Sequence, residues 1–131
     1  MAAANISAMM PATIQNPCLE LPIAAPALLT FYTAGANGAL IEEINISNQD
    51  GSNARSVELW VNNGTSDFLL GSAEVPLDSG QNDVASFKLL TNLGMAPLAI
   101  EATYVLKIKA VATLTSVMHC VATPALDYVA L

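Results

Sequence analysis

Short stretches in which apolar and polar residues alternate, each closed by Gly, Asn, Asp or Pro, recur along this chain at intervals of roughly 8 to 15 residues. A period of two is the period of a strand, because successive side chains point to opposite faces of a sheet. No helical period is sustained over the ten or so residues that a helix requires. The clearest alternation is "TYVLKIKAVAT", which sets Tyr104, Leu106, Ile108 and Ala110 against Val105, Lys107, Lys109 and Val111. In "RSVELWVNN", Val57, Leu59 and Val61 oppose Ser56, Glu58, Trp60 and Asn62. "TSVMHCVATPA" sets Val117, His119 and Val121 against Ser116, Met118, Cys120 and Ala122 before Pro124 closes it. "ALLTFYT", "ALIEEINISN", "DFLLGSAEVPL" and "VASFKLL" read as further strands, and "TNLGMAPLAIEA" as a loop. Seven or eight strands with no βαβ alternation predict an all-β fold, an antiparallel β-sandwich of jelly-roll or Ig-like connection.

A chain of 131 residues suffices for one such domain. Residues 18–131 are assigned to the sandwich and residues 1–17, "MAAANISAMMPATIQNP", to an N-terminal arm with no sustained period and no charge. The arm reads as a frayed terminus or as a segment ordered against a neighbouring subunit, and Met9, Met10 and Ile14, costly to leave in water, favour the second. Trp60 falls opposite the apolar face of its strand, where it covers the second side of the sheet or anchors an interface. These four are the candidate interface residues.

Charge narrows the partners. Four basic and eleven acidic side chains make up 11 % of the chain, against about 25 % in an ordinary soluble domain, and the net charge is −7. A surface so poor in charge suits packing into an assembly. Phosphate binding needs clustered Lys or Arg, so nucleic acid is not an expected direct partner. No Lys or Arg precedes Arg55, so "LPIAAPALL" lacks the basic flank of a secretory signal, and no apolar run reaches the roughly 18 residues that span a bilayer. Neither export nor membrane insertion is expected.

Three constellations could carry chemistry. Glu42 and Glu43 are adjacent, and adjacent strand residues diverge; the economical reading is a bulge or exposed strand start at Glu42 that lets Ile41 join Ile44 and Ile46 in the core and leaves both acids solvated. His119 and Cys120 diverge for the same reason, so they do not form a nucleophile and its base, although Cys18 remains a possible neighbour of His119. Cys18 and Cys120 read as buried thiols rather than a disulfide. "NQDGSN" spaces Asn48, Asp50 and Ser52 like the start of a calcium loop, but lacks the later bidentate Glu, and Asx turns account for it. Catalytic, cofactor and metal residues are therefore expected to be none.

The run "YTAGANGALIEEINISNQDGSNARSVELWV", Tyr32 to Val61, resembles a pattern of small structural proteins of tailed-bacteriophage virions. There a strand ending in Tyr-Thr-Ala is followed by Gly/Asn, Ile-x-x-Ile-x-Ile-x-Asn, a polar loop and Val-x-Leu-x-Val. The resemblance implies a non-enzymatic β-sandwich without cofactor, located in the virion and assembled in the host cytoplasm. It implies a capsid decoration (cement) protein, binding as a trimer or in multiple copies to the major capsid protein and holding the shell against internal DNA pressure. A neck, tail or fibre-attachment component is the alternative within this class; a carbohydrate- or receptor-binding β module is an alternative outside it.

Overall fold

The structure, a computed structural model, describes residues 11–130. Among these, twelve strands pair into three antiparallel four-stranded sheets. In chain order they are β1 (Ala12–Gln15), β2 (Cys18–Leu21), β3 (Leu29–Thr33), β4 (Ala39–Ile41), β5 (Ile44–Asn48) and β6 (Arg55–Asn62). β7 (Asp67–Val75) and β8 (Phe87–Lys88) follow, then one helical turn α1 (Leu89–Leu93), β9 (Leu98–Ile100), β10 (Val105–Ala110), β11 (Met118–Ala122) and β12 (Ala125–Tyr128). The sheet orders are β1-β12-β4-β9, β2-β11-β5-β8 and β3-β10-β6-β7. The fold is all-β and antiparallel, as the alternation predicts.

The strand number departs from the expected seven or eight because the expected strand "ALIEEINISN" is interrupted at Glu42–Glu43 into β4 and β5, and because β1, β2, β9 and β12 form where no strand was expected. Two-residue interruptions also separate β1 from β2 at Asn16–Pro17 and β11 from β12 at Thr123–Pro124. The interruptions at Glu42–Glu43 and Thr123–Pro124 match. Ala122 lies opposite Ile44, and three residues on in each chain direction Ala125 lies opposite Ile41, so the pairing of β11 with β5 runs on in register into that of β12 with β4. The backbone stays paired across the gap: the Thr123 N–H donates to the Glu43 carbonyl at 2.9 Å and the Glu42 N–H to the Pro124 carbonyl at 3.0 Å. Each strand thus carries the same one-residue change of phase. Odd residues Ala39, Ile41 and Ala125 face the core on one side of this corner, even residues Ile44, Ile46, Met118, Cys120 and Ala122 on the other.

The core gathers Ile41, Ile44, Ile46, Val57, Leu59, Leu106, Ile108 and Met118, all fully buried. Leu106, Ile108 and Ala110 alternate inward in β10 as read from the sequence. Three local readings are corrected. "VASFKLL" yields only the short β8, because Leu89 and Leu90 are both fully buried and adjacent strand residues cannot share one face; a helical turn buries both. Gly94 ends that turn in the left-handed region at φ 71, conformational space that glycine enters without a Cβ penalty. The loop read at "TNLGMAPLAIEA" contains β9. The boundary expected at residue 17 is moved, since Ala12–Gln15 of the expected arm pairs with β12 from Ala12↔Tyr128 to Gln15↔Ala125. Met9 and Met10 lie outside the described residues.

Candidate functional site

The outer side of the β1-β12-β4-β9 sheet is built from residues with little reason to face water. Ala39, Ile41 and Ala125 point into the core, so their neighbours point out. Register then aligns Ile14 with Leu126, Leu126 with Leu40, and Leu40 with Ala99, an apolar row across all four strands. Ala12 and Tyr128 form the start of a second row beside it. Ile14 is 71 % exposed, the most exposed large apolar side chain among the described residues. None of these six side chains is charged at neutral pH. Asp127, on the same strand, turns inward instead: the Gly35 N–H donates to its Oδ1 at 2.9 Å. That carboxylate and burial together push the Tyr32 phenol up to about 12, burial being the larger cause.

The continuation of the same strands beyond the corner is polar. There Glu20, His119 and Ser47 align across β2, β11 and β5, and His119 Nε2 lies 3.0 Å from Glu20 Oε1. Cys18 stands opposite Val121 on this outer side, whereas Cys120 is fully buried. The two cysteines are free, Cys18 exposed and Cys120 buried, and burial pushes the Cys120 thiol up to about 12. A thiol held protonated inside the core has no nucleophile to offer His119.

Glu42 and Glu43 have separate environments. Glu42 is exposed at the corner. Glu43 reaches across to the first turn of α1, where Oε1 accepts the Leu90 N–H at 2.7 Å and Oε2 accepts the Thr91 N–H at 3.2 Å and the Thr91 hydroxyl. Oε1 also accepts the Ile44 N–H at 3.0 Å. Lys88, at the N-cap position of α1, offers no side-chain bond, so Glu43 supplies from another strand the acceptor that the turn lacks locally. The pair is a corner and a clamp.

Asp50 is likewise saturated. Its Oδ1 accepts the Ser52 and Asn53 N–H groups at 2.9 and 3.0 Å, while Oδ2 accepts Arg55 Nη2 at 2.9 Å and Nε at 3.2 Å and the Thr115 hydroxyl at 3.2 Å. These bonds, the one from Ser52 foremost, hold its carboxyl well below the usual carboxylate range. Asn48 spends its amide on the carbonyls of Asn53, Val75 and Pro76. The Asx-turn reading of "NQDGSN" fits this arrangement. Among the described residues no group of three or more His, Cys, Asp and Glu has metal-binding geometry.

Trp60 sits on the outer side of the third sheet, opposite Lys107 on β10 and Leu69 on β7. Its Nε1 donates to Glu58 Oε1 at 3.2 Å. Nearby, Asp67 accepts Asn62 Nδ2 at 2.8 Å and pairs with Lys107 Nζ at 3.2 Å, and these partners, Asn62 first, lower its carboxyl from the ordinary value. Trp60 therefore belongs to a charged face, and Ile14 to an uncharged face of another sheet; the structure does not bring the two together. Sequence reading missed Leu40, Leu126, Tyr128 and Ala99. The signal was available in "PALDY", where Leu126 and Tyr128 alternate with Ala125 and Asp127.

Comparison of the chain with models of known protein families, with curated proteins and with solved structures finds no significant match. Among the described residues no helix is long and apolar enough to cross a membrane.

Proposed function

We propose that this chain is a non-enzymatic structural protein of a virion, a capsid decoration protein whose β-sandwich binds other virion proteins through the outer side of β1-β12-β4-β9. The observation that carries the reading is the uncharged row Ile14–Leu126–Leu40–Ala99 on a chain of net charge −7. An apolar row is where a weakly charged protein gains most by being covered.

The fold reading behind it is a jelly roll. Taking β1/β2, β4/β5 and β11/β12 each as one bent strand, and β8/β9 as one position interrupted by α1, leaves eight strand positions. The first then pairs with the eighth, the second with the seventh, the third with the sixth and the fourth with the fifth. Such nested pairing is a two-stranded ribbon rolled into two facing sheets, and the fold recurs in capsid and lectin domains among others. Fold alone does not choose between these, and the uncharged face supports the capsid reading. Two of the four basic residues, Arg55 and Lys107, are engaged by Asp50 and Asp67, which supports protein rather than nucleic acid as the partner.

The test is to locate the protein in purified particles by imaging and compare particle loading of the native chain with Leu126→Lys and Leu40→Lys. Decoration of the shell that the substitutions abolish is the expected result. Location at the neck or tail selects the alternative within the class, and native chain with no affinity for capsids or tails refutes the proposal.

A further inference from the structure

The edge at which the apolar row ends is itself unpaired among the described residues. β1 is the last strand of its sheet, so Ala12 to Gln15 presents a side with no neighbouring strand among the described residues. Proteins blunt such edges with charge, bulges or cover. The other long edges of this fold are blunted: β3 is bulged against β10, and β7 is bulged against β6 and carries Asp67 and Glu74. β1 pairs with β12 without a register shift, and the first charged residue of the chain is Glu20.

We infer that a second copy of this chain occupies the edge, β1 against β1 of the partner, antiparallel about a twofold axis at Ile14. This inference does not depend on the virion reading. Three observations fix the partner and the register. A contact between two copies that each carry net charge −7 is best made where neither brings a carboxylate, and β1 satisfies this. A twofold axis must return outer side chains to the outer side, which requires it to pass through a residue rather than between two. In β1 Ala12 and Ile14 face outward, so a centre at Ile14 keeps like sides together over Ala12 to Asn16 in both copies. Centring on Ile14 sets the most exposed large apolar side chain against its own copy and joins the two rows into one, Ala99–Leu40–Leu126–Ile14 continued by the partner's Ile14 and its neighbours. Ala12 then faces Asn16 of the other copy and Thr13 faces Gln15.

Site-specific cross-linking of the full chain tests this register. In a Cys18→Ser background, Ile14→Cys is expected to form a covalent dimer on mild oxidation, because it meets itself. Ala12→Cys and Asn16→Cys are expected to cross-link slowly alone and rapidly when mixed. Sedimentation equilibrium up to millimolar protein should show a dimer that Ile14→Lys weakens by about tenfold or more, with the urea midpoint unchanged since the side chain is already exposed. A native chain that remains monomeric, a trimer, which this contact cannot build, or Ala12→Cys linking to itself as fast as Ile14→Cys each overturn the inference.

Discussion

Replacing Glu43 by Ala removes one carboxylate shared by four donors: the N–H groups of Ile44, Leu90 and Thr91 and the Thr91 hydroxyl. The Thr91 groups lie where water can reach them and recover most of what they lose. The Ile44 and Leu90 N–H groups belong to residues with no exposed surface, so they are left without a partner. A hydrogen bond to a charged acceptor contributes about 1.5–3 kcal/mol, and an abandoned buried donor costs about 1–3 kcal/mol. Glu43 is itself half-buried, which places each of the two bonds at the low end, and their sum near 2–3 kcal/mol. Divided by a urea dependence of about 2 kcal/mol per molar, the unfolding midpoint should fall by about 1 M. Glu43→Gln keeps one oxygen acceptor and should lose about half as much. Glu42→Ala, at the exposed neighbour, should stay within about 0.5 kcal/mol of the native chain. Equilibrium urea unfolding followed by tryptophan fluorescence reads all three. Equal midpoints for Glu43→Ala and Glu42→Ala would falsify the clamp, because they would show that position at the corner, rather than the bonds to α1, sets the cost.

Three further outcomes follow from the same geometry. Because the Asp50 carboxyl titrates below its ordinary 3.8, its contribution is complete above that pH and is lost as pH falls toward its folded value. The stability gap between the native chain and Asp50→Asn, measured by urea unfolding, should therefore be constant above pH 5 and shrink below about pH 4. Thiol labelling at pH 8 should modify only Cys18 in the folded chain and both cysteines in denaturant, given the buried Cys120 thiol at about 12; two rapid modifications without denaturant would contradict the assigned burial. A Cβ at Gly35 would lie 2.8 Å from both Asp127 carboxylate oxygens, so Gly35→Ala should lower stability by about 1–3 kcal/mol, and in an Asp127→Ala background it should cost much less.

Much of the fold was legible because burial in a half-solvated strand is written every second residue. β10 and β11 show this most simply, with Leu106, Ile108 and Ala110 or Met118, Cys120 and Ala122 inward. What failed was continuity. Pro17 and Pro124 stand in the interruptions of two bent strands, and a reading that treats each run as a unit cannot see that the runs on either side share neighbours. α1 was hidden for a related reason: five residues are too few for a helical period, and Leu89–Leu90 announces itself only through the adjacency of two buried leucines. At the glutamates, Ile41 turns inward as expected, but the strands cross the corner in register rather than by a bulge, and Glu43, expected in solvent, bonds to a turn 47 residues away through contacts no local pattern encodes. Of the interface candidates, Ile14 could be singled out because an isoleucine in an uncharged stretch is conspicuous. Leu40 and Leu126 carry no such mark, and only the register aligns them with Ile14 on the outer side.

The matched corner ties two distant pieces of sequence together in length. Removing Glu42 alone would leave the β11 phase intact but turn Ile44 and Ile46 outward and Asn45 and Ser47 inward. Removing Thr123 alone would do the same to one side of its own strand. Removing one residue from each restores a common register, a straight pair of strands with the same faces inward. Insertions and deletions at these positions are therefore tolerable only as pairs, one near residue 42 and one near residue 123. Among descendants of this sequence, the lengths of the two segments should change together or not at all.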